Sequence, residues 1–166
     1  MPKPKNNQTV VVGLSGGVDS SVAAYLLKKQ GYDVIGVHMR HLQCTDTSDV
    51  ESVCKTLNIP YHFVDYTKEF KEHVIERCQN EINRGLTPNP CCYCNPEIKF
   101  KMLLDFADKI NADYIATGHF ANASSEMSLL GSKSSVTGKS IFLKRAKDSN
   151  KDQSYFLCGL KLSPYC

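Results

Sequence analysis

Residues 9–14 read Thr-Val-Val-Val-Gly-Leu, a short β-branched run that is apolar after its first residue. Such a run fits a strand covered on both faces. The period then changes. Val18, Val22 and Leu26 recur every four positions, the spacing of a helix, and Gly31 is its stop signal. Residues 33–39 return to a buried strand around Val34-Ile35-Gly36-Val37. Ser48 and Glu51 have the spacing of a capping box, in which each side chain satisfies a free amide of the other residue. Val50, Val53, Cys54 and Leu57 follow on one helical face. Residues 61–64 predict a third strand, and a longer helix runs over residues 67–84 to a stop at Gly85. Asn95-Pro96 predicts another helix start, because Asn caps and Pro suits the first turn. Ile98, Met102, Phe106 and Ile110 mark its buried face, and residues 113–117 form a fourth strand.

Strand and helix alternate throughout this part, which argues for an α/β fold, a doubly wound parallel sheet with helices on both sides. One domain is expected over residues 1–121. Residues 122–140 are rich in Ser, Gly and Lys, and two short strands at 127–130 and 141–144 predict a β-hairpin with a flexible connection. Between Lys133 and Lys151 there are six Lys or Arg and one Asp, a local charge of +5. A solvated loop is the ordinary reading of such a run; contact with an RNA backbone is the competing one.

The whole chain has 166 residues, 42% of them apolar and 22% charged. That suits one packed domain, and no segment is apolar enough over enough residues to span a membrane. A formal net charge of +3 is too small to mark a nucleic-acid binder. The eight cysteines would suggest disulfides in a small secreted protein. The opening Met-Pro-Lys-Pro-Lys-Asn-Asn, however, has neither an apolar signal region nor an Arg-rich amphipathic character. A reducing compartment is expected, the cytoplasm, with the mitochondrial matrix as the alternative for a eukaryotic relative. Cys54 and Cys78 read as small buried apolar residues.

The strongest chemical signal is Ser15-Gly16-Gly17-Val18-Asp19-Ser20-Ser21, set between a strand and a helix. Glycines let backbone approach an anion, and the helix start offers unpaired amides and a positive dipole end. The serine hydroxyls add donors, and Asp19 is suited to holding Mg²⁺. No Gly-Lys-Ser/Thr follows, so this is not a Walker A loop, and Gly-x-Gly-x-x-Gly is absent. A second signal is Cys91-Cys92-Tyr93-Cys94. Cys91-x-x-Cys94 is a spacing found in redox pairs and in zinc or iron–sulfur sites, although two thiols alone do not close a metal site.

Ser-Gly-Gly-Val-Asp-Ser resembles the pyrophosphate-binding loop of the ATP pyrophosphatase family, enzymes of the adenine nucleotide alpha hydrolase-like (HUP) fold. Residues 87–100, Thr-Pro-Asn-Pro-Cys-Cys-Tyr-Cys-Asn-Pro-Glu-Ile-Lys-Phe, resemble the catalytic segment of the tRNA-uridine 2-sulfurtransferases of the MnmA/TRMU type. Thr117-Gly118-His119-Phe120 and Asn150-Lys151-Asp152-Gln153-Ser154-Tyr155-Phe156-Leu157 match that group in the same order. The resemblance implies ATP and Mg²⁺ as cosubstrates, with Gly13, Leu14, Ser15, Gly16, Gly17, Val18, Asp19, Ser20, Met39 and Gly118 around the nucleotide. It implies that Asn89, Pro90 and Cys91 meet the target base and that His119, Lys151, Asp152 and Gln153 contact tRNA. It assigns Cys94 as the nucleophile; Cys91, at the Cys-x-x-Cys spacing from it, is a second candidate catalytic thiol of this chain. The implied reaction adenylates the C2 oxygen of the wobble uridine. A cysteine persulfide, charged by a cysteine desulfurase or sulfur-relay protein, then gives 2-thiouridine. A thiol just before the Asn95-Pro96 helix start would have a lowered pKa.

Two departures stand out. Cys91 stands where many relatives have Asp, which opens the alternative of a metal cluster at Cys91 and Cys94. The second catalytic cysteine of the group, its central RNA-binding domain and its C-terminal barrel have no counterpart by Cys166, so an incomplete enzyme is expected. Two other readings stay open: another ATP pyrophosphatase, and a module that binds ATP or tRNA without moving sulfur.

Overall fold

The computed structural model describes residues 8–42, 47–126, 140–157 and 159–160. Its centre is a four-stranded parallel sheet in the order β3-β2-β1-β4, formed by β1 Thr9–Gly13, β2 Asp33–Arg40, β3 Tyr61–Asp65 and β4 Tyr114–Ala116. β1 pairs with β2 from Thr9↔Asp33 to Gly13↔Val37, and with β4 from Val10↔Tyr114 to Val12↔Ala116. The valine run forms the strand because both of its faces are covered: Val10, Val11 and Val12 are almost inaccessible. Val10 and Val12 pack with Ala24, Leu27, Val50 and Cys54 on one side. Val11 packs with Met102, Leu103 and Ala107 on the other. This is the doubly wound sheet expected from the alternation. β3, at the sheet edge, is largely exposed.

α1 (Val18–Lys29) forms where the four-residue spacing placed it, and Gly31 follows with positive φ. Its buried residues are Ser20, Ala24 and Leu27. Val18, Val22 and Leu26 face outward, with Val18 76% exposed. The helix lies on the sheet through small side chains, and the large apolar ones are left on the far side. α2 (Ser48–Leu57) buries Val50 and Cys54 as expected, but its cap is Thr47 rather than Ser48. The Thr47 hydroxyl donates to the Glu51 carboxylate at 3.1 Å, and the Glu51 amide donates to the Thr47 carbonyl at 3.0 Å.

α3 (Thr67–Phe70), a π-helical turn (Lys71–Ile75) and α4 (Glu76–Asn83) make one continuous run that ends at Gly85, close to the expected limits. The next run differs from expectation. α5 (Pro90–Cys94), a π-helical stretch (Asn95–Phe100) and α6 (Lys101–Lys109) are continuous, so the helix begins at Pro90 with Asn89 as its cap. Asn95-Pro96 lies inside it. Asn95 is 2% exposed and donates Nδ2–H to the Phe156 carbonyl at 3.2 Å, which ties the helix to the turn Ser154–Leu157. Pro96 removes one backbone donor, and the wider π turn accommodates it.

The hairpin consists of β5 (Asn122–Glu126) and β6 (Ser140–Lys144), paired from Asn122↔Lys144 to Glu126↔Ser140. Its first strand thus precedes the expected one at 127–130, which lies outside the described residues. No helix among the described residues is long and apolar enough to cross a membrane.

Candidate nucleotide and sulfur-transfer site

β1 is flanked by β2 on one side and β4 on the other, so the connections leaving β1 and β4 diverge at their carboxyl ends. Ligands of doubly wound sheets bind in that crevice. After β1 the chain turns through Ser15–Gly17 into α1. Gly16 holds φ +83°, a conformation that disfavours side chains. The Ser15 Oγ accepts from the Gly17 amide at 3.3 Å, the Ser20 Oγ accepts from the Ser15 amide at 3.1 Å, and the two hydroxyls are 3.1 Å apart. Ser21 Oγ–H donates to the Gly17 carbonyl at 2.8 Å. The serines therefore tie the loop to itself. The first-turn amides of α1 have no helical carbonyl within reach, an arrangement that suits an anion.

Gly118, in the turn after β4, is pressed against this helix start. A Cβ there would lie 2.5 Å from the Ser20 nitrogen and 2.7 Å from the Asp19 carbonyl carbon. Glycine is required at 118 because backbone meets backbone. Gly13, Ser15, Asp19, Ser20, Thr117 and Gly118 line a cavity of 180 Å³ together with Lys99, His119 and Gln153. A second cavity of 240 Å³ shares Gly13, Ser15 and Lys99 with it and continues toward Leu14, His38, Met39 and Met102. Its wall is more apolar, as a nucleobase requires, while the first is lined with hydroxyls, backbone and charge.

His119 is held in the first cavity by Thr117, whose Oγ1 is 2.8 Å from Nδ1, and by the Phe100 ring, stacked at 5.9 Å. Burial, and secondarily the Lys99 charge, push its pKa down to about 4. It is therefore a neutral imidazole near pH 7. Gln153 is clamped to Phe120 in both directions: its amide donates to the Phe120 carbonyl at 2.8 Å, and its Oε1 accepts from the Phe120 amide at 2.9 Å. Asp152 accepts from the Ala146 and Ser154 amides and lies 3.6 Å from Arg145. These backbone bonds, above all, hold its carboxyl below the usual range. Asp152 organises the loop, and Lys151, whose amide donates to the Asp148 carbonyl, is exposed with its ammonium 5.5 Å from the Phe120 ring centroid.

The sulfur side is set by α5. Asn89, Pro90 and Cys91 are exposed at its start and line neither cavity. Cys94 is half-buried one turn later, packed near Val74, Tyr93 and Ile98. Its expected place before a helix start is corrected: it lies inside the helical run. Its thiol pKa is pushed up by burial, with Lys99 opposing that shift. Tyr93 fixes α5 against α4. Its hydroxyl is 2.7 Å from Cys78 Sγ, and Arg77 lies 4.0 Å over its ring while bonding Glu81 and Glu97. Among the described residues no group of three or more His, Cys, Asp or Glu is gathered to hold a metal ion. Among the described residues Cys91 and Cys94 do not gather the further ligands that a cluster needs. Cys44, Cys158 and Cys166 lie outside the described residues.

The sequence reading missed Lys99 and Thr117 as site residues, although both stand inside the quoted motifs. Lys99 could have been suspected only if the helix were known to be π-wound between it and Cys94.

The family model described as the tRNA methyl transferase HUP domain matches residues 8–163. The chain belongs to this family. Among curated relatives, "tRNA-specific 2-thiouridylase MnmA 1" of Geobacillus kaustophilus is 49% identical over 161 residues, 91% of this chain and 40% of its own length. "tRNA-specific 2-thiouridylase MnmA" of Lacticaseibacillus paracasei is 45% identical over 165 residues, 93% of this chain and 41% of its own length. The chain thus spans about 40% of the length of these relatives. A solved structure described as a predicted subunit of tRNA methyltransferase from Methanocaldococcus jannaschii aligns with TM-score 0.51 and 22% identity, over 67% of this chain and 52% of that one. It shares the fold. Family membership bears out the resemblance carried by the loop and the cysteine segment.

Proposed function

We propose that this chain is the nucleotide-binding and first-cysteine part of a tRNA-uridine 2-sulfurtransferase. The observation that carries the reading is the join between the two cavities. A Gly/Ser loop and helix start face the first, an apolar wall lines the second, and the half-buried Cys94 stands on the helix that borders both. ATP fits with its base toward Met39 and its phosphates toward Ser15–Ser20. Asp19 supplies one carboxylate. Mg²⁺ usually takes only one or two, with water and phosphate completing its shell, and it neutralises phosphate charge when bound.

In the proposed reaction the uridine C2 oxygen attacks the α-phosphorus. The new O–P bond forms as the α–β bridge breaks, and pyrophosphate leaves with the electron pair. The C2 oxygen, a poor leaving group, has become part of AMP. The terminal sulfur of a persulfide on Cys94 then attacks C2, and AMP departs with the C–O electron pair. A thiol must finally cleave the S–S bond to release the 2-thiouridine. Asn89, Pro90 and Cys91 stand exposed at the helix start, where an unstacked wobble base could be received. His119, in the first cavity, and residues 151–153, on the segment that Gln153 ties to Phe120, are the proposed tRNA contacts. The division at residue 121, the cytoplasmic setting and a desulfurase or sulfur-relay partner belong to the same proposal.

The test incubates the chain with tRNA, ATP, Mg²⁺ and a persulfide-generating system under single-turnover conditions, with mass spectrometry of the nucleosides. AMP formation that depends on tRNA and 2-thiouridine that depends on Cys94 are expected. ATP binding with neither product leaves a binding module and overturns the sulfurtransferase reading.

A further inference from the structure

Lys99 has no part in the assignments above, yet it is the residue that the two cavities and the cysteine share. It lines the hydroxyl-rich cavity beside Ser15, Asp19 and His119, and the apolar cavity beside Leu14 and Met39. It is half-buried, and among the described residues it has no carboxylate partner. The neighbouring cations are matched differently: Arg77 pairs with Glu81 and Glu97, and Lys101 pairs with Asp105 at 2.7 Å. An ammonium that is partly desolvated and unpaired is costly unless an anion arrives.

The helix geometry explains why Lys99 reaches this place. In an α-helix residues five apart are rotated by about 140° around the axis. The stretch Asn95–Phe100 is π-wound, and its i→i+5 bonding brings residues five apart back toward one face. Cys94 and Lys99 are such a pair. The Lys99 charge is felt at Cys94, where it opposes the effect of burial, and at His119 across the cavity. Cys91 and Glu97 act on Cys94 in the opposite sense to Lys99.

Resting on the nucleotide reading above, we propose that the Lys99 ammonium binds the phosphate nearest the reacting uridine, the α-phosphate of ATP and then of the departing AMP, while promoting the Cys94 thiolate. One cation thereby serves the leaving group and the nucleophile of the same reaction. It supplies charge to both and no proton to either. Lysine suits the role as a compact point charge on a flexible stem.

The experiment measures ATP, AMP and adenosine binding by calorimetry for the 166-residue chain and for its Lys99→Met and Lys99→Arg variants. In parallel it follows iodoacetamide alkylation of Cys94 at one fixed pH by peptide mapping. Lys99→Met is expected to weaken ATP and AMP by about 10- to 100-fold, the loss of one charge-assisted hydrogen bond. Adenosine affinity should stay unchanged, and Cys94 alkylation should slow about threefold or more. Lys99→Arg should keep most of both effects, and unchanged thermal midpoints would show that folding is not the cause. Equal ATP affinity in wild type and Lys99→Met overturns the inference while leaving the nucleotide reading intact. A variant that loses ATP affinity but alkylates at the wild-type rate overturns the shared role. No nucleotide binding by the wild-type chain sinks the nucleotide reading itself, and the inference with it.

Discussion

Gly118 shows how little room a functional residue can have. Its missing side chain lets the turn after β4 touch the α1 backbone, with Ser20 nitrogen 2.5 Å from where a Cβ would be. Backbone cannot swing aside as a flexible side chain can. Gly118→Ala is therefore expected to destabilise the fold by about 1–3 kcal/mol, as overpacking does, and to displace the phosphate-binding amides. Chemical denaturation and ATP calorimetry check this, and a variant as stable as wild type with equal ATP affinity would falsify it. His119 gives a pH signature. Its pKa is lowered from 6.5 to about 4 by burial, with Lys99 adding to it. The unfolded chain thus binds more protons than the folded one between those values, and stability rises with pH across that window. The contribution is present above about pH 6.5 and is lost as the pH falls toward 4. The His119 Cε1 proton resonance should show no titration step between pH 5.5 and 8, and His119→Gln should flatten the pH dependence of the denaturation midpoint from 6.5 to 4. A step near pH 6.5 in the resonance would show that the ring is solvated.

Among the elements, the helical run from Pro90 to Lys109 decides the thiol chemistry. Asn95-Pro96 carries a local start signal, yet Asn95 is used as a buried strut to Phe156, because tertiary contact outweighs a capping preference. Asn95→Ala removes that donor and leaves a carbonyl unpaired. A loss of about 1–2 kcal/mol is expected, together with faster proteolysis at the Ser154–Leu157 turn. Cleavage there at the wild-type rate would mean that the turn is held by other contacts. Since Cys91 is exposed at the helix start and Cys94 is half-buried, iodoacetamide should modify Cys91 first, then Cys94, with fully buried Cys54 last. Peptide mapping reads the order, and a Cys94 that outruns Cys91 would restore the helix-start argument for its activation. The outward stripe of Val18, Val22 and Leu26 was legible as a helix but not as a face. Four-residue spacing fixes the period, and which side packs depends on the neighbours.

For the molecule as a whole, the β3-β2-β1-β4 order puts the loop after β1 and Gly118 after β4 side by side at the carboxyl edge of the sheet, while α6 packs on its face against Val11. Lys147 and Lys151 are exposed on the segment that returns to this edge. If they meet RNA phosphates, each of Lys147→Ala and Lys151→Ala should lower the slope of log affinity against log salt by about one unit. Fluorescence anisotropy with labelled tRNA measures it. An unchanged slope for both would place the RNA elsewhere on the surface.

The sequence by itself determined the four strands of the parallel sheet, the helix periods, the loop after β1 and the motif order that carries family membership. These are local signals: β-branched runs, glycine stops, and residues a few positions apart. It did not determine that Cys94 sits within a helix, that Asp152 and Asn95 act as struts, or that Lys99 stands between the nucleotide cavity and the thiol. Asn95 and Lys99 depend on partners far along the chain, Phe156 for Asn95 and Thr117–His119 for the cavity shared with Lys99, while Asp152 binds near neighbours that no periodic pattern marks. The π winding between Cys94 and Lys99 is decided by the packing of Pro96 and Asn95 against the rest of the chain. No hydrophobic period announces it, because it changes where side chains point without changing which of them are apolar.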